Sequence, residues 1–319
     1  MGKWSGALLR PIRELRKNVN SPVRFYNFWD YAEVRELWFY RFILHRNILE
    51  KAGLNRIDFY SVFGPRLLYG RFPGKPDLKI FFTGENVENF PSYRDHMIGR
   101  ADLSVGFEYI DYPQYLRFPL WILYIIQPEW GLEEIKDHLE KKINKRAPEV
   151  RTGFCCLVAS HDRNGIRLKM MKETEPFGKV DSGGRIYKNT PALKTLYHDR
   201  KTAFLNQYML NICPENSNTP GYVTEKLFQS LECGCIPLYW GSCNRPEPEI
   251  LNQEAILFYD PENPARFHQK LAAFAKDPEL YRDWCQTPKL NPLAANFIHD
   301  YMNRLETSII EASRHKNQS

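Results

Sequence analysis

The feature that most constrains the fold is a β-α-β pattern centred on residues 211–241. An apolar run at 209–213 ends at a proline and leads into a loop of turn-forming residues. The pattern predicts a helix that begins near Thr224, an N-cap residue type, and ends at Gly234. The apolar residues 236–240 then form the next strand. Units of this kind build parallel sheets, so the sequence predicts an α/β fold.

The start of that predicted helix carries an acid next to a base. Free backbone N–H groups and the helix dipole attract phosphate at this end, and Lys226 adds a positive charge there. Glu225 offers a carboxylate that accepts hydrogen bonds from sugar hydroxyls. The pair therefore suits a nucleotide, with one residue for the ribose and one for the phosphates. The alternative is an ordinary surface Glu-Lys pair in a first turn.

A second candidate, Glu85, follows the predicted strand 79–83. Functional residues of α/β sheets gather outside the carboxyl ends of the strands, which makes Glu85 a candidate general base. The alternative is a loop carboxylate that caps a helix or pairs with Arg94 or Arg100.

Two further candidates follow predicted strands. The strand 153–159 leads into a loop, and Arg167 opens the next helix, where its guanidinium can hold phosphate. A surface arginine is the alternative. The first strand, 23–29, leads into a loop where Trp29 is a candidate exposed ring.

The remaining patterns complete a two-domain chain. Shorter strands are predicted at 56–63, 103–106 and 255–258, and helices at 31–52, 130–146, 191–207, 263–276 and 293–313. A length of 319 residues allows two domains, and the break at Pro148 divides the chain into 1–148 and 149–319. Candidate residues in both halves predict a cleft between the domains.

Charge and composition exclude several classes of protein. The chain has 44 basic and 38 acidic residues, a net charge of +6, and no basic stripe dense enough to argue for nucleic acid. No run of 18 apolar residues exists. The basic N-terminal segment is interpreted either as a frayed, solvated terminus or as a peripheral contact with anionic lipid. Gly2 is not interpreted as a myristoylation site, because position 6 is glycine.

The seven cysteines form no Cys-x-x-Cys pair, and we expect them to be reduced and mostly buried, which favours a cytoplasmic location. No Asp-x-Asp sequence occurs, so the usual arrangement for holding a divalent metal against pyrophosphate is absent, and no metal site is predicted.

Together these motifs resemble glycosyltransferase family ten, the α-1,3/1,4-fucosyltransferases. The resemblance is carried by Pro-Glu-Asn-Ser at 214–217, Gly-Tyr-Val-Thr-Glu-Lys at 221–226 and Ile-Pro-Leu-Tyr-Trp-Gly at 236–241. Phe-Thr-Gly-Glu-Asn at 82–86 and Tyr-Leu-Arg-Phe-Pro-Leu at 115–120 also fit. The similarity covers about 79–241 together with part of the C-terminal region.

The resemblance implies a GT-B fold, in which two Rossmann-like β/α/β domains face a central cleft. The first domain would bind an N-acetylglucosamine-containing glycan and the second GDP-fucose, and the terminal helix 293–313 can cross back to the first domain. Fucose would be transferred with inversion to give a Lewis-type α-1,3(/4) product. No cofactor would be required, because GDP-fucose is a co-substrate and a divalent metal is not essential.

The resemblance also assigns residues. It implies catalytic roles for Glu85 as general base and for Arg167 and Lys226 as groups that stabilise the departing GDP. The implied donor-binding residues are Ser160, Arg167, Asn216, Tyr222, Glu225 and Lys226. The implied acceptor-binding residues are Trp29, Glu85 and Asn86.

The chain departs from the family pattern in one motif, where Pro214 replaces the usual phenylalanine. It also has neither the membrane anchor of animal members nor the heptad-repeat tail of some bacterial members, so it resembles a bacterial-type soluble form, cytoplasmic or peripheral to the inner membrane. Two alternatives stay open: a GT-B transferase with another donor or acceptor, and a non-catalytic glycan- or nucleotide-binding protein.

Overall fold

The computed structural model of the chain describes residues 4–66, 75–144 and 150–318. It divides the chain into two compact units. The first contains the residues up to Gly131 together with those from His299 onward, and the second is Leu132–Ile298. The predicted domain boundary at residue 148 lies outside the described residues.

The first unit is built on a five-stranded parallel sheet in the order β1-β2-β3-β4-β5. The strands are β1 (Val23–Tyr26), β2 (Ile57–Tyr60), β3 (Leu78–Thr83), β4 (Leu103–Gly106) and β5 (Tyr115–Arg117). Its helices before the second unit are α1 (Trp4–Lys17), α2 (Trp38–His45), α3 (Ile48–Ala52) and α4 (Ile122–Ile125). Because all five strands are parallel, the loops that follow β1 and β3 lie at the same edge of the sheet.

Aromatic side chains fill the core of this unit. Phe25 of β1 stacks on Phe59 of β2 with ring centroids 5.1 Å apart, and Phe39 of α2 meets Phe82 of β3 at 4.6 Å. All four side chains are buried. Many of the chain's aromatic residues therefore stabilise the sheet, and their number does not indicate a sugar site.

The sequence analysis predicted one continuous helix over residues 31–52, and this prediction is wrong. Residues Val34–Glu36 form a 3-10 turn, and Leu37 is extended, with a ψ of 136°. Asn47 adopts a left-handed conformation, with a φ of 52°, between α2 and α3. A right-handed helix cannot continue through such a residue, so the apolar periodicity of this stretch belongs to separate short elements.

One interpretation of the N-terminal segment was a frayed, solvated terminus. Where its side chains are described, the segment is instead attached to the first sheet. Glu14 of α1 is 6% exposed and accepts a hydrogen bond from the backbone N–H of Asn27. Asn18 is 1% exposed and bonds both the N–H and the C=O of Phe25 in β1. Two buried polar side chains thus attach the end of α1 to the sheet. Gly2 and Lys3 lie outside the described residues.

The second unit contains another five-stranded parallel sheet, in the order β10-β9-β8-β6-β7. Its strands are β6 (Gly153–Leu157), β7 (Val180–Ser182), β8 (Tyr208–Ile212), β9 (Ile236–Tyr239) and β10 (Leu257–Phe258). Its helices are α5 (Leu132–His138), α6 (Ile166–Thr174), α7 (Ala192–Thr195), α8 (Lys201–Leu205), α9 (Glu225–Glu232), α10 (Ala265–Lys276) and α11 (Pro278–Gln286). The sequence analysis did not predict α11.

The second unit begins earlier in the chain than the predicted boundary. Helix α5 continues into a π-helical turn, Leu139–Ile143, and Asn144 follows. The Asn144 side-chain oxygen accepts from the backbone N–H groups of Lys289 and Leu290, at 3.0 and 3.2 Å. These bonds attach the end of this helical segment to the second unit.

The last helix, α12 (Ala294–Gln318), contributes its residues from His299 onward to the first unit. Glu306 pairs with Arg46 at 3.1 Å and with Lys51 at 2.7 Å, and Lys316 pairs with Asp102 at 2.6 Å. Phe297, near the start of α12, is 40% exposed. The buried residues of α12 instead include Ala294, Ala295, Ile298, Met302, Leu305 and Ile309.

Candidate active site

In the first unit, the loops that follow β1 and β3 bring Trp29 and Glu85 together. The indole Nε1 of Trp29 donates a long hydrogen bond of 3.5 Å to Oε1 of Glu85. The Trp29 ring packs against Phe63 and Phe82, with centroids 5.4 and 5.7 Å away. Both Trp29 and Glu85 are partly exposed, so the carboxylate is positioned and still reachable.

The backbone around Glu85 is fixed by its neighbours. The Thr83 hydroxyl accepts from the N–H of Glu85 at 3.0 Å, and the Asn86 side chain accepts from the N–H of Glu88 at 2.9 Å. Asn86 is thereby the N-cap of a 3-10 turn and is 7% exposed. Arg94, an alternative partner for Glu85, pairs with Glu88 at 3.0 Å.

In the second unit, a buried carboxylate lies at the start of α9. Thr224 occupies the N-cap position, as predicted, but its hydroxyl makes no capping bond. Glu215, which is 0% exposed, accepts from the Thr224 N–H at 2.8 Å and from the Thr224 hydroxyl at 2.7 Å. The sequence analysis did not select Glu215 as a site residue.

Lys226 is held by three oxygen atoms. Its ammonium lies 3.3 Å from Glu215 Oε2, 2.7 Å from the Thr224 hydroxyl and 3.7 Å from Glu225 Oε1. Burial alone would lower the pKa of Lys226, but the carboxylates of Glu215 and Glu225 outweigh it and raise that pKa. Glu225 and Lys226 are therefore not an ordinary surface pair. The carboxylate closer to the Lys226 ammonium is that of Glu215, which lies in a different loop.

Arg167 is buried, with 4% exposure, which excludes the surface alternative. Its Nη2 donates to the carbonyl of Pro214 at 3.2 Å and to Oδ1 of Asn216 at 2.9 Å. Burial lowers its pKa, and Asp162 and Glu215 oppose that effect. The contact with position 214 uses the backbone carbonyl, so it does not depend on which side chain stands there.

Asp162 lies in the loop before α6 and contacts the first turn of that helix. Its carboxylate accepts from the N–H groups of Arg167 and Leu168, at 3.3 and 3.0 Å, and from the Tyr187 hydroxyl at 3.1 Å. The first three N–H groups of this helix are therefore already satisfied, two by Asp162 and that of Ile166 by Oδ1 of Asn164. An anion near α6 would depend on the Arg167 side chain rather than on the helix end.

Tyr222 and Ser160 differ in how much surface they present to a ligand. Tyr222 is 2% exposed and forms part of the interior, although the resemblance implied contact with the ribose. Ser160 is exposed, and its hydroxyl lies 3.1 Å from Nδ1 of His161. Ser160 also borders a cavity of about 540 Å³ that the sequence analysis missed. Its polar lining includes Ser160, Arg185, Lys188, Lys194 and Asp199.

Among the described residues, neither a disulfide nor a metal-ligand cluster is present. All seven cysteines lie in the described ranges and none is in a disulfide; six are buried and Cys243 is exposed, which confirms that most are buried. Within the described ranges, no cluster of three or more His, Cys, Asp or Glu side chains is arranged to hold a metal ion. Across the same residues, no helix combines the length and apolarity needed to span a membrane.

Two family models match the chain in succession. The N-terminal domain of alpha-(1,3)-fucosyltransferase FucT matches residues 23–124, and the C-terminal part of glycosyltransferase family 10 (fucosyltransferase) matches residues 148–303. The chain belongs to glycosyltransferase family 10. This confirms the resemblance drawn from the motifs.

Curated relatives of this family 10 chain include bacterial and animal proteins. Alpha-(1,3)-fucosyltransferase FucT of Helicobacter pylori is 28% identical over 254 residues, 68% of this chain and 49% of that protein. Alpha-(1,3)-fucosyltransferase B of Drosophila melanogaster is 27% identical over 60% of this chain and 46% of that protein. GDP-fucose protein O-fucosyltransferase 3 of Bos taurus is 27% identical over 47% of this chain and 31% of that protein. The chain spans at most about half the length of these relatives.

Solved structures show the same fold. The crystal structure of an alpha1,3-fucosyltransferase with GDP-fucose matches with a TM-score of 0.58 at 20% identity, over 95% of this chain and 97% of that chain. The structure with GDP matches with the same TM-score at 19% identity. The predicted α/β class of GT-B type, with two parallel sheets, is confirmed.

Proposed function

We propose that this family 10 chain is an inverting α-1,3(/4)-fucosyltransferase that moves L-fucose from GDP-fucose to N-acetylglucosamine of a glycan. One observation carries the proposal. The three consecutive residues 214–216 fix two cationic side chains from different helices, because Pro214 and Asn216 hold Arg167 while Glu215 holds Lys226. Paired cations at the carboxyl edge of a parallel sheet suit the two phosphates of a nucleoside diphosphate.

The second unit would bind the donor. Lys226 and Arg167 would contact the diphosphate, and the partly exposed Glu225 would accept from ribose hydroxyls. The cavity beside Ser160 has room for a nucleoside, since a volume of about 540 Å³ falls in the usual range for small-molecule sites.

The first unit would bind the acceptor and supply the base. The Glu85 carboxylate takes the proton of the acceptor hydroxyl as that oxygen attacks the anomeric carbon of fucose. The bond from this carbon to the β-phosphate oxygen breaks in the same step, and its electron pair leaves with GDP. Attack opposite the leaving group inverts the anomeric configuration.

The leaving diphosphate gains negative charge as its bond to fucose breaks. Lys226 and Arg167 are fixed before the reaction begins, so they stabilise that charge without rearranging. We propose that these cations suffice and that transfer does not depend on a divalent metal.

A second acceptor class is a protein hydroxyl group. It is favoured by a specific observation, namely that relatives from Bos taurus and Gallus gallus are named GDP-fucose protein O-fucosyltransferase 3. With such an acceptor the same base and the same cations would act on a serine or threonine side chain.

An acceptor array with GDP-fucose tests the proposal. We expect release of GDP to depend on acceptor and to be fastest with N-acetylglucosamine-containing glycans, with a product linked α-1,3 or α-1,4 to N-acetylglucosamine. Transfer to folded protein acceptors alone would support the second class. GDP binding without transfer to any acceptor would contradict an enzymatic role.

We also propose a cytoplasmic location with a peripheral membrane contact through α1. Arg13 and Arg16 are exposed, and Ile12 beside them is 49% exposed, so this face offers both charge and apolar surface. Sedimentation with vesicles should show binding that requires anionic lipid and weakens with salt. Equal sedimentation with neutral vesicles would contradict it.

A further inference from the structure

Glu215 is a buried acid in the middle of a site that should attract anions. Its side chain is fully inaccessible, yet its Oε2 lies 3.3 Å from the Lys226 ammonium, and its charge also acts on Arg167. The neighbouring residues 214 and 216 contact Arg167. A buried carboxylate is costly unless it is paired and hydrogen-bonded, and here both Thr224 and Lys226 satisfy it.

The Lys226 ammonium has two acids and two cations around it. Glu215, from the loop after β8, and Glu225, from its own helix, raise the pKa of Lys226. Arg167 of α6 lowers that pKa, and Lys201 of α8 is close enough for mutual repulsion with Lys226. Because burial also favours the neutral amine, the lysine depends on its carboxylates to stay charged.

We propose that Glu215 is the internal counter-ion of the donor site, and that it positions Lys226 and keeps it protonated while no diphosphate is bound. The inference rests on the proposed function. Glu215 does not contact substrate in this scheme, so it is a positioning residue. A bound diphosphate brings its own negative charge and takes over the role of counter-ion, which makes Glu215 matter most for the empty enzyme.

Because Glu215 matters most in the empty enzyme, its loss should change the pH dependence of kcat/KM more than that of kcat. The pH dependence of kcat/KM reports ionisation in the free enzyme, and that of kcat reports ionisation in the complex. Glu215→Gln keeps an oxygen for the Thr224 N–H but removes the charge, so the pKa of Lys226 falls. The variant should therefore lose kcat/KM for GDP-fucose at alkaline pH, while its kcat changes little over the same range.

Direct GDP binding tests the inference without any acceptor. The ratio of the GDP dissociation constant at pH 9.5 to that at pH 7 is measured by calorimetry for four proteins. They are the wild type, Glu215→Gln, Glu215→Gln combined with Lys226→Arg, and the control Glu173→Gln. Glu173 is a matched carboxylate that bonds Tyr259 and His268 instead. We expect this ratio to be several-fold larger for Glu215→Gln than for the wild type, because an amine whose pKa has fallen loses its charge between pH 7 and pH 9.5 while the wild-type ammonium keeps it.

The double variant should return to the wild-type ratio, because an arginine stays protonated at this pH. A wild-type ratio for Glu215→Gln, or no rescue by Lys226→Arg, would overturn the inference. Failure of the wild type to bind GDP at all would overturn the proposed function and this inference with it. If Glu215→Gln does not fold, the pH dependence of amine acylation in the wild type replaces it. Acylation of Lys226 should then have a midpoint above the ordinary lysine value of about 10.4, and an equal or lower midpoint would overturn the inference.

Discussion

The indole nitrogen of Trp29 lies 3.5 Å from the Glu85 carboxylate, although the two residues are 56 positions apart in the chain. They meet because β1 and β3 run parallel in one sheet, so the loops that follow them lie at one edge. The indole donates to one carboxylate oxygen and leaves the other without that contact. A general base needs this combination of a fixed orientation and a free lone pair.

Glu85→Gln should remove most of the turnover. The amide cannot accept the acceptor proton, so we expect kcat to fall by about 10²–10⁴-fold, the usual contribution of a general base. GDP binding, measured by calorimetry, should stay unchanged. Glu88→Gln is the matched control, because Glu88 lies three residues away and pairs with Arg94 on the surface. Wild-type turnover in Glu85→Gln would reject Glu85 as the base.

Trp29→Phe should separate the hydrogen bond from the ring packing. The phenyl ring can still pack against Phe63 and Phe82, but the donor to Glu85 is lost. A hydrogen bond to a charged group contributes about 1.5–3 kcal/mol, and this one is long, so we expect kcat/KM for the acceptor to fall about tenfold. Trp130→Phe serves as the control substitution. Equal kinetics for both variants would show that the indole does not orient Glu85.

Lys226→Ala should weaken the binding of GDP and slow transfer. Loss of a charge-assisted contact with the diphosphate predicts a dissociation constant about 10–100-fold larger. Equilibrium binding of GDP gives this value directly, and Lys276→Ala, at the exposed end of α10, controls for net charge. An unchanged dissociation constant would show that the ammonium does not contact GDP.

Excess EDTA should leave transfer unchanged, because fixed cationic side chains would neutralise the leaving group. The measurement is the initial rate of GDP release, with and without chelator, after extensive dialysis against EDTA. Recovery of rate only on adding Mg²⁺ or Mn²⁺ would replace this scheme with a metal-dependent one.

Gly184→Ala should destabilise the second unit next to Ser160. A Cβ at this position would lie 2.2 Å from the carbonyl oxygen of Ala159 and 2.5 Å from its nitrogen. Backbone atoms cannot yield as a flexible side chain can, so we expect a loss of about 1–3 kcal/mol in the free energy of unfolding. Urea denaturation measures it. A Cβ at Gly165 meets no atom within 4 Å, so Gly165→Ala shows the cost of a left-handed φ alone.

The sequence predicted those elements whose signals are local. The predicted start of α9 near Thr224 and its predicted end at Gly234 both agree with the structure. Each signal depends on residues within one or two helical turns. The position of Glu85 after β3 was likewise predictable, because a strand of apolar residues ends visibly at Gly84.

Partners from distant segments were not predictable in the same way. Glu215 stands in a motif that drew attention to its neighbours, yet only the folded chain shows its contact with Lys226. Arg167 was equally compatible with a surface and with a site until its burial was known. An acid directly after an apolar strand is itself a signal in the sequence, because such a residue, once buried, needs a cation or a hydrogen-bond donor nearby.

The first unit is assembled from two separate stretches of the chain, since α12 from His299 onward packs on it. The side chains of Met302, Leu305 and Ile309 are completely buried. Arg46, Lys51 and Asp102 form ion pairs with Glu306 and Lys316 of that helix. During synthesis, the first unit therefore stays incomplete until the whole second unit has been translated. The apolar surface that α12 covers in the folded protein therefore lacks that helix for the time needed to translate residues 132–298.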